Sequence, residues 1–302
     1  MFLFAEGGHH TPLIVEFVNT YLGKPVYEFQ MAVMHPLWQR IFDALGVNIT
    51  PETVFGEYSP ATAIPWYTIM FFIACLLTVF IIWIFKGKLS EDDPTQGQLT
   101  LEAGFLAIKD LVVSVIGEHG YKYFPVVATF AVLVLISNLM GQFPLFMSPT
   151  AHISVTFALG ITSFIYYNYV GISENGIINH LAHFTGPKLP LVLTLIITPL
   201  IFSIELISNM IRPLTLAIRL FANMFADEQI AGNIANLYAP YTQIFLPVLL
   251  LPLAVFVAFV QTLVFTLLSM IYISEVSHAP HDDHHHAGAE HSDETGEAMA
   301  TA

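Results

Sequence analysis

Residues 205–228 read ELISNMIRPLTLAIRLFANMFADE, an apolar stretch that nevertheless carries Glu205, Arg212, Arg219, Asp227 and Glu228. An ionisable side chain at bilayer depth costs about 2.5–3.5 kcal/mol by insertion scales and, where it occurs, marks an ion path. On a helix at about 100° per residue, Glu205, Arg212 and Arg219 recur with a drift of only about 20° per step. They form one polar stripe, with Ser208, Thr215 and Asn223 close to it. Glu228 lies about 180° round from Arg219 and roughly 13.5 Å further along, so acids bracket the arginines along the axis. An arginine effectively never loses its proton and so cannot relay one. It holds a fixed positive field, and a fixed cation favours the ionised form of any carboxyl brought beside it.

Such a stripe needs a membrane frame, and the composition supplies one. Of 302 residues, 55% are hydrophobic and 11% charged, and the mean hydropathy is +0.68. That is too apolar for an ordinary soluble domain. The net charge of −14 arises mainly from acids in the terminal segments. Cys75 is the sole cysteine, which excludes an intramolecular disulfide and reads as a small apolar residue inside a span. The class expected is an all-α polytopic membrane protein in direct contact with lipid.

The chain divides into an N-terminal segment (1–60), a membrane domain (61–276) and a tail (277–302). Residues 1–60 mix short apolar stretches with Glu and Pro and read as short helices at the extracytoplasmic interface. They lack the basic start and long apolar core of a signal peptide. Residues 64–85 form a first span bordered by Trp66 and Trp83, as interfacial aromatics should be. Residues 99–115 have helical apolar spacing but include Glu102, Lys109 and Asp110, so an amphipathic surface helix is expected. Further spans are expected over 123–140 and 153–170, followed by a polar stretch to 189.

From 190 to 238 no break is visible. A continuous helix there would be about 73 Å long against a hydrocarbon core of about 30 Å. Two spans with a turn near Pro213 or one strongly tilted helix both fit that length. The polar stripe runs through Pro213 without loop composition and favours the tilted helix. Residues 238–241 (YAPY) read as a turn, and 243–274 return as a second long helix, giving five crossings in all. Lys86, Lys88, Lys109, Lys122 and Lys188 fall in loops on one side, which places that side in the cytoplasm, the N-terminus outside and the C-terminus inside. The His-rich acidic tail reads as a disordered, solvated segment with no enforced ligand spacing. Were the hairpin centred at 240, partners whose numbers sum to 480 would share a depth. Arg219 would then face Gln261, and Ala254 would lie level with residue 226.

The segment RLFANMFADE, with the Arg212-Pro213 pair, the upstream acid and Gln261 downstream, resembles the arginine-bearing helix of the subunit a family of the F-type ATP synthase. The resemblance extends over roughly residues 60–276. It implies a stator in a bacterial plasma membrane that works against a rotating ring of c subunits, each with one membrane carboxyl. The b subunits of the peripheral stalk and the remainder of the F1F0 complex are implied as further partners. No cofactor, metal or nucleic acid is implied, and no bond chemistry in this chain. Arg219 would be the gate that makes each arriving carboxyl release its proton and blocks leakage between two offset half-channels. Asn223, Asp227, Glu228 and Gln261 would line the outer half-channel, and Glu205 and Ser208 the inner one, with Arg212 and Thr215 supporting. Gln261 would hold Arg219. Family members often carry an ionisable residue at the place of Ala254 and Gly at that of Asp227. Both differ here, which implies that the second outer titratable group has moved across to Asp227.

Two other classes of membrane protein would leave different residue patterns. A self-contained secondary transporter would show related repeats with interrupted helices at the midplane, and no internal repeat is visible. An intramembrane metal enzyme would need an HExxH-like set within a span, and none occurs. Nor is there a phosphate-cradling Gly-rich loop, so nucleotide chemistry would belong to other chains.

Overall fold

The computed structural model describes residues 12–44, 46, 53, 59–60, 62–87, 89–143, 146–183, 191–235 and 241–277. All regular structure among them is helical. The expected turn (238–241, except Tyr241), the tail beyond 277 and much of 1–60 lie outside the described residues.

The chain opens with α1 (Leu13–Phe29), which passes through a π-helical turn (Gln30–Met34) into α2 (His35–Ala44). Neither is among the helices long and apolar enough to cross a membrane. Asn19 ties α1 to the segment before the first span, donating to the Ile64 carbonyl at 3.1 Å and accepting from the Ile64 N–H at 3.1 Å. Gly23 lets the backbone of Pro60 lie where a Cβ would otherwise be, 2.1 Å from the Pro60 carbonyl oxygen.

Five helices are long and apolar enough to cross a membrane. The spans lie in α3 (Trp66–Lys86), in α5 (Phe124–Met140) with the 3-10 turn Glu118–Tyr123 that leads into it, and within α6 (Ile153–His183), α7 (Leu191–Ala235) and α8 (Tyr241–Ser277). The first three match the expected spans closely at their starts. Helix α6 runs on past 170 because its polar continuation stays helical, interrupted at Gly176, whose φ of 74° suits a residue without a side chain. The remaining helix, α4 (Gln96–Ile116), is not among the five. Thr95 caps it by accepting from the Gln98 N–H at 3.3 Å. It buries Val112 and Ile116 against α5, α6 and α8.

Helices α7 and α8 have 45 and 37 residues, about 67 and 55 Å of helix. Pro199 and Pro213 both fall inside α7, which continues through them. Of the two architectures open at the sequence level, the unbroken helix is the one observed. α7 and α8 run antiparallel and pack on each other and on α6.

Three apolar clusters stack along the bundle. Val15, Ile69, Met70, Ala74 and Met140 fill one end. Phe130, Val134, Val155, Leu159, Leu216, Leu220 and Phe265 fill the middle. Ile116, Tyr123, Val127, Tyr167, Met270 and Ile273 belong to the opposite end. Burying one large apolar side chain contributes about 1.5–3 kcal/mol in water, but between helices in lipid that drive is absent and close packing takes over. Gly160 shows how close: a Cβ there would sit 2.8 Å from the Pro213 carbonyl oxygen and 3.2 Å from Ala217 Cβ. One face of α7 is thereby pressed against α6, and the opposite face, with Met210, Ile211, Leu214 and Ile218, is left uncovered by the chain.

Candidate functional site: the polar stripe of α7

The helical period of α7 puts Glu205, Ser208, Arg212, Thr215 and Arg219 along one side, and packing decides what each side chain meets. Arg212 turns toward α8. Its guanidinium donates two hydrogen bonds to the carboxylate of Glu275, from Nη1 to Oε2 and from Nη2 to Oε1, the latter at 2.9 Å. Glu205 lies 3.6 Å from the same Nη2, and the ring of Tyr272 stacks 5.2 Å from the guanidinium carbon. Thr215, one turn on, donates its hydroxyl to the Arg212 carbonyl at 3.0 Å. Ser208, Arg212 and Thr215 line a shallow open groove with Ile204, Ile207 and Ile211.

Arg219 is different. It is exposed on the uncovered side of α7, and among the described residues it has neither an ion pair nor a hydrogen bond. Leu216, Ala217 and Leu220 on either side of it are buried at 0–2%, so the helix is held firmly where this cation projects.

One turn further, Asn223 Nδ2 donates to Gln261 Oε1 at 2.6 Å. Gln261 is 3% exposed, and its Nε2 finds no acceptor among the described residues. Asp227 accepts from Gln142 Nε2 at 3.1 Å. Glu228, half-buried, follows Asp227 directly. Along its axis α7 thus runs from a compensated cluster on the stripe, through an unpaired cation, to an adjacent pair of acids that lie round the helix from it.

A sequence with this arrangement is similar to known membrane proteins over most of its length. The family model described as ATP synthase A chain matches residues 68–274. The chain belongs to the ATP synthase A chain family. It is 37% identical over 212 residues to the ATP synthase subunit a of Solibacter usitatus, covering 70% of this chain and 87% of that one. Against the ATP synthase subunit a of Aquifex aeolicus it is 36% identical over 207 residues, 67% and 93% of the two chains. Against that of Geobacter sulfurreducens it is 38% identical over 242 residues, 80% and 96%. With five apolar helices of crossing length, it is a multi-pass bacterial membrane protein and a component of the ATP synthase, participating in proton transport and ATP synthesis.

Helices α7 and α8 pair antiparallel in a register different from the one expected. The bonded pairs Asn223–Gln261 and Arg212–Glu275 have numbers that sum to 484 and 487, not 480. Gln261 therefore meets Asn223 and not Arg219. Ala254, buried at 6%, falls level with about residue 230, roughly a turn beyond Asp227. Glu205, expected with Ser208 on the inner path, lies 3.6 Å from the Arg212 guanidinium.

Several contributing residues escaped the sequence reading. Tyr272 lies within the expected last span (243–274) and Glu275 one residue past it, and neither was singled out. Gln142 sat in what read as a loop. Asn138, Ser148, Thr150 and Thr262 form a buried polar chain at the Asp227 end: Thr150 donates to Asn138 Oδ1 at 2.7 Å, and Ser148 bonds Thr150 at 2.7 Å and the Ser137 carbonyl at 3.0 Å. Asn138 Nδ2 reaches Thr262 Oγ1 at 3.5 Å. On α6, Tyr167 donates to the side-chain oxygen of Asn209 on α7, both buried. A signal for part of this was present: Gln261, Thr262, Thr266 and Ser269 mark one face of an otherwise apolar helix, and all four are buried.

Proposed function

We propose that the chain is the proton-conducting stator of the F-type ATP synthase, with Arg219 as the gate facing the carboxyl of each passing c subunit. The observation that carries this reading is the state of Arg219: a permanent cation at span depth, uncovered by its own chain and unpaired among the described residues. A group that costly to place in lipid is compensated by an acid, and an acid supplied from a rotor would be such a partner. Beside Arg219 that carboxyl is held ionised and gives up its proton; moved away, it takes one up.

Asn223, Gln261, Asp227 and Glu228 form the outer half-channel in this reading, and Glu205 and Ser208 the inner one. Arg219 separates the two electrostatically, because a proton approaching a fixed cation is repelled. Asp227 stands in for the titratable group absent at Ala254, and Gln142 holds its carboxylate. Lys109 and Lys122 share the Glu275 end of the bundle with the end of α3 at Lys86, which supports a cytoplasmic location for that end, with the N-terminal helices outside. The c ring, the b subunits and the remainder of the complex are the partners. The chain itself breaks no bonds.

The test is ATP-driven proton pumping in vesicles carrying the assembled complex, comparing wild type with Arg219→Ala and checking assembly on the same samples. Loss of pumping with intact assembly is expected. Normal coupled pumping would overturn the reading and reopen a self-contained transporter.

A further inference from the structure

Arg212 and Arg219 are seven residues apart, about 10.5 Å along α7 and only about 20° round it. Two equivalent cations on one face would give a passing ionised carboxyl two places to stop. The structure separates them by their partners. Arg212 is held in a two-pronged hydrogen bond by Glu275, with Glu205 at 3.6 Å as a second acid and the Tyr272 ring beneath. Its side chain is 20% exposed, and that of Glu275 is 36% exposed. Arg219 has no such acid among the described residues.

We infer that Glu275 is a positioning residue that keeps Arg212 turned onto α8 and electrically silent, so that the stripe presents one attractive cation and not two. This rests on the stator reading above. The two-pronged geometry fixes the plane of the guanidinium as well as its charge, which a single acid such as Glu205 at the longer distance does not. Glu205 comes from within α7 itself, seven residues before Arg212, whereas Glu275 comes from the neighbouring helix. Only Glu275 therefore pulls the guanidinium off the uncovered face. Asn175 bonds the Val276 carbonyl at 2.8 Å and Ser274 bonds the Val115 carbonyl at 3.0 Å, so the end of α8 that carries Glu275 is fastened on both sides of it. The device is a rigid acid meeting a flexible base.

Removing the acid alone should therefore do more harm than removing both partners. The experiment uses the assembled complex in vesicles with Glu275→Gln, Arg212→Gln and the double variant, beside wild type and Arg219→Ala. ATP-driven pumping is expected to fall about tenfold in E275Q, about two- to threefold in R212Q, and to recover in the double variant to the R212Q level. A second readout separates charge from structure: the rate at which a carbodiimide, which attacks protonated carboxyls, labels the membrane carboxyl of the c subunit. A freed Arg212 favours the ionised carboxyl, so labelling should slow in E275Q and return to the wild-type rate in the double variant. A tie that only held the helices together would make R212Q as harmful as E275Q, with no recovery in the double variant and no change in labelling; that outcome overturns the inference. If R219A pumps normally, the stator reading fails first. If R219A is inactive while E275Q pumps and labels as wild type, the inference alone is lost.

Discussion

Arg212 and Arg219 share a helix, a face and a residue type, yet they occupy opposite electrostatic situations. Arg212 is met by two carboxylates and an aromatic ring of its own chain. Arg219 has no ion pair, hydrogen bond or stacked ring among the described residues. The difference does not lie in the arginines. It lies in α8, which presents Glu275 opposite Arg212 and Gln261 beyond Arg219, the latter already bonded to Asn223. A charge inside a membrane domain is thus read by what compensates it. Where the chain supplies the acid, the cation fastens helices; where the chain withholds it, the cation is available to a partner.

The same substitution at the two positions puts that contrast at risk. Lysine keeps a charge but loses the planar fork, and it sheds its proton more readily in a poorly solvated site. At Arg219, where permanence of the charge is the proposed function, Arg219→Lys should reduce coupled pumping by about a hundredfold or more. At Arg212, where a carboxylate pair holds the charge in place, Arg212→Lys should cost about twofold. Equal losses at the two sites, measured in vesicles of matched assembly, would show that the arginines are not functionally distinct.

Beyond Arg219 the compensation reverses: Asp227 and Glu228 are adjacent acids, and no ion pair is found for either among the described residues. Glu228→Gln removes a titratable group that the outer path would use directly and should lower proton flux by about tenfold. Asp227→Asn should lower it about threefold and shift its pH dependence, because Gln142 already spends a donor on that carboxylate. Proton flux measured across a range of pH decides both. An unaltered profile in Asp227→Asn would remove Asp227 from the path and leave Glu228 as its only acid.

Much of this architecture could be read from periodicity. The recurrence of Glu205, Arg212 and Arg219 gave the stripe, and the span starts at Trp66, Phe124 and Ile153 follow from apolar run length. Partnership across helices was harder. Counting outward from a turn assumes straight, parallel helices and short side chains. Two long helices that cross, and arginine and glutamate side chains that reach along the axis, displace the true pairs by four to seven in the summed numbers, or about 6–10 Å. That is enough to assign Gln261 to the wrong neighbour. Glu275 was missed for a related reason: an acid one residue past an apolar run looks like the exit from the membrane, and only the packing of α8 on α7 reveals it as a partner. The contact of Gly160 with Pro213 leaves no trace in a hydropathy pattern at all.

The smallest effect sharpens the contrast from behind, on the buried face of α7. Tyr167 donates to Asn209, one turn before Pro213, which has no N–H to offer the Asn209 carbonyl. That bond, with the Gly160 contact, helps set the rotation of α7 and so the direction in which the whole stripe, Arg212 and Arg219 together, is presented. Tyr167→Phe keeps the ring and its packing against Phe164 and Tyr272 and removes only the hydroxyl. Interhelical bonds of this kind contribute about 0.6 kcal/mol on average and up to about 1.7 in membranes. The expected result is a modest drop in the thermal stability of the purified complex and a loss of pumping below about twofold. Adding Gly160→Ala should enlarge both, since the new methyl would press on the Pro213 carbonyl and push α7 the same way. If the double variant pumps at the wild-type rate despite lower stability, the rotation of α7 is held by the apolar core around Leu216 and Leu220 alone, and the polar contacts of its buried face are dispensable for presenting Arg219.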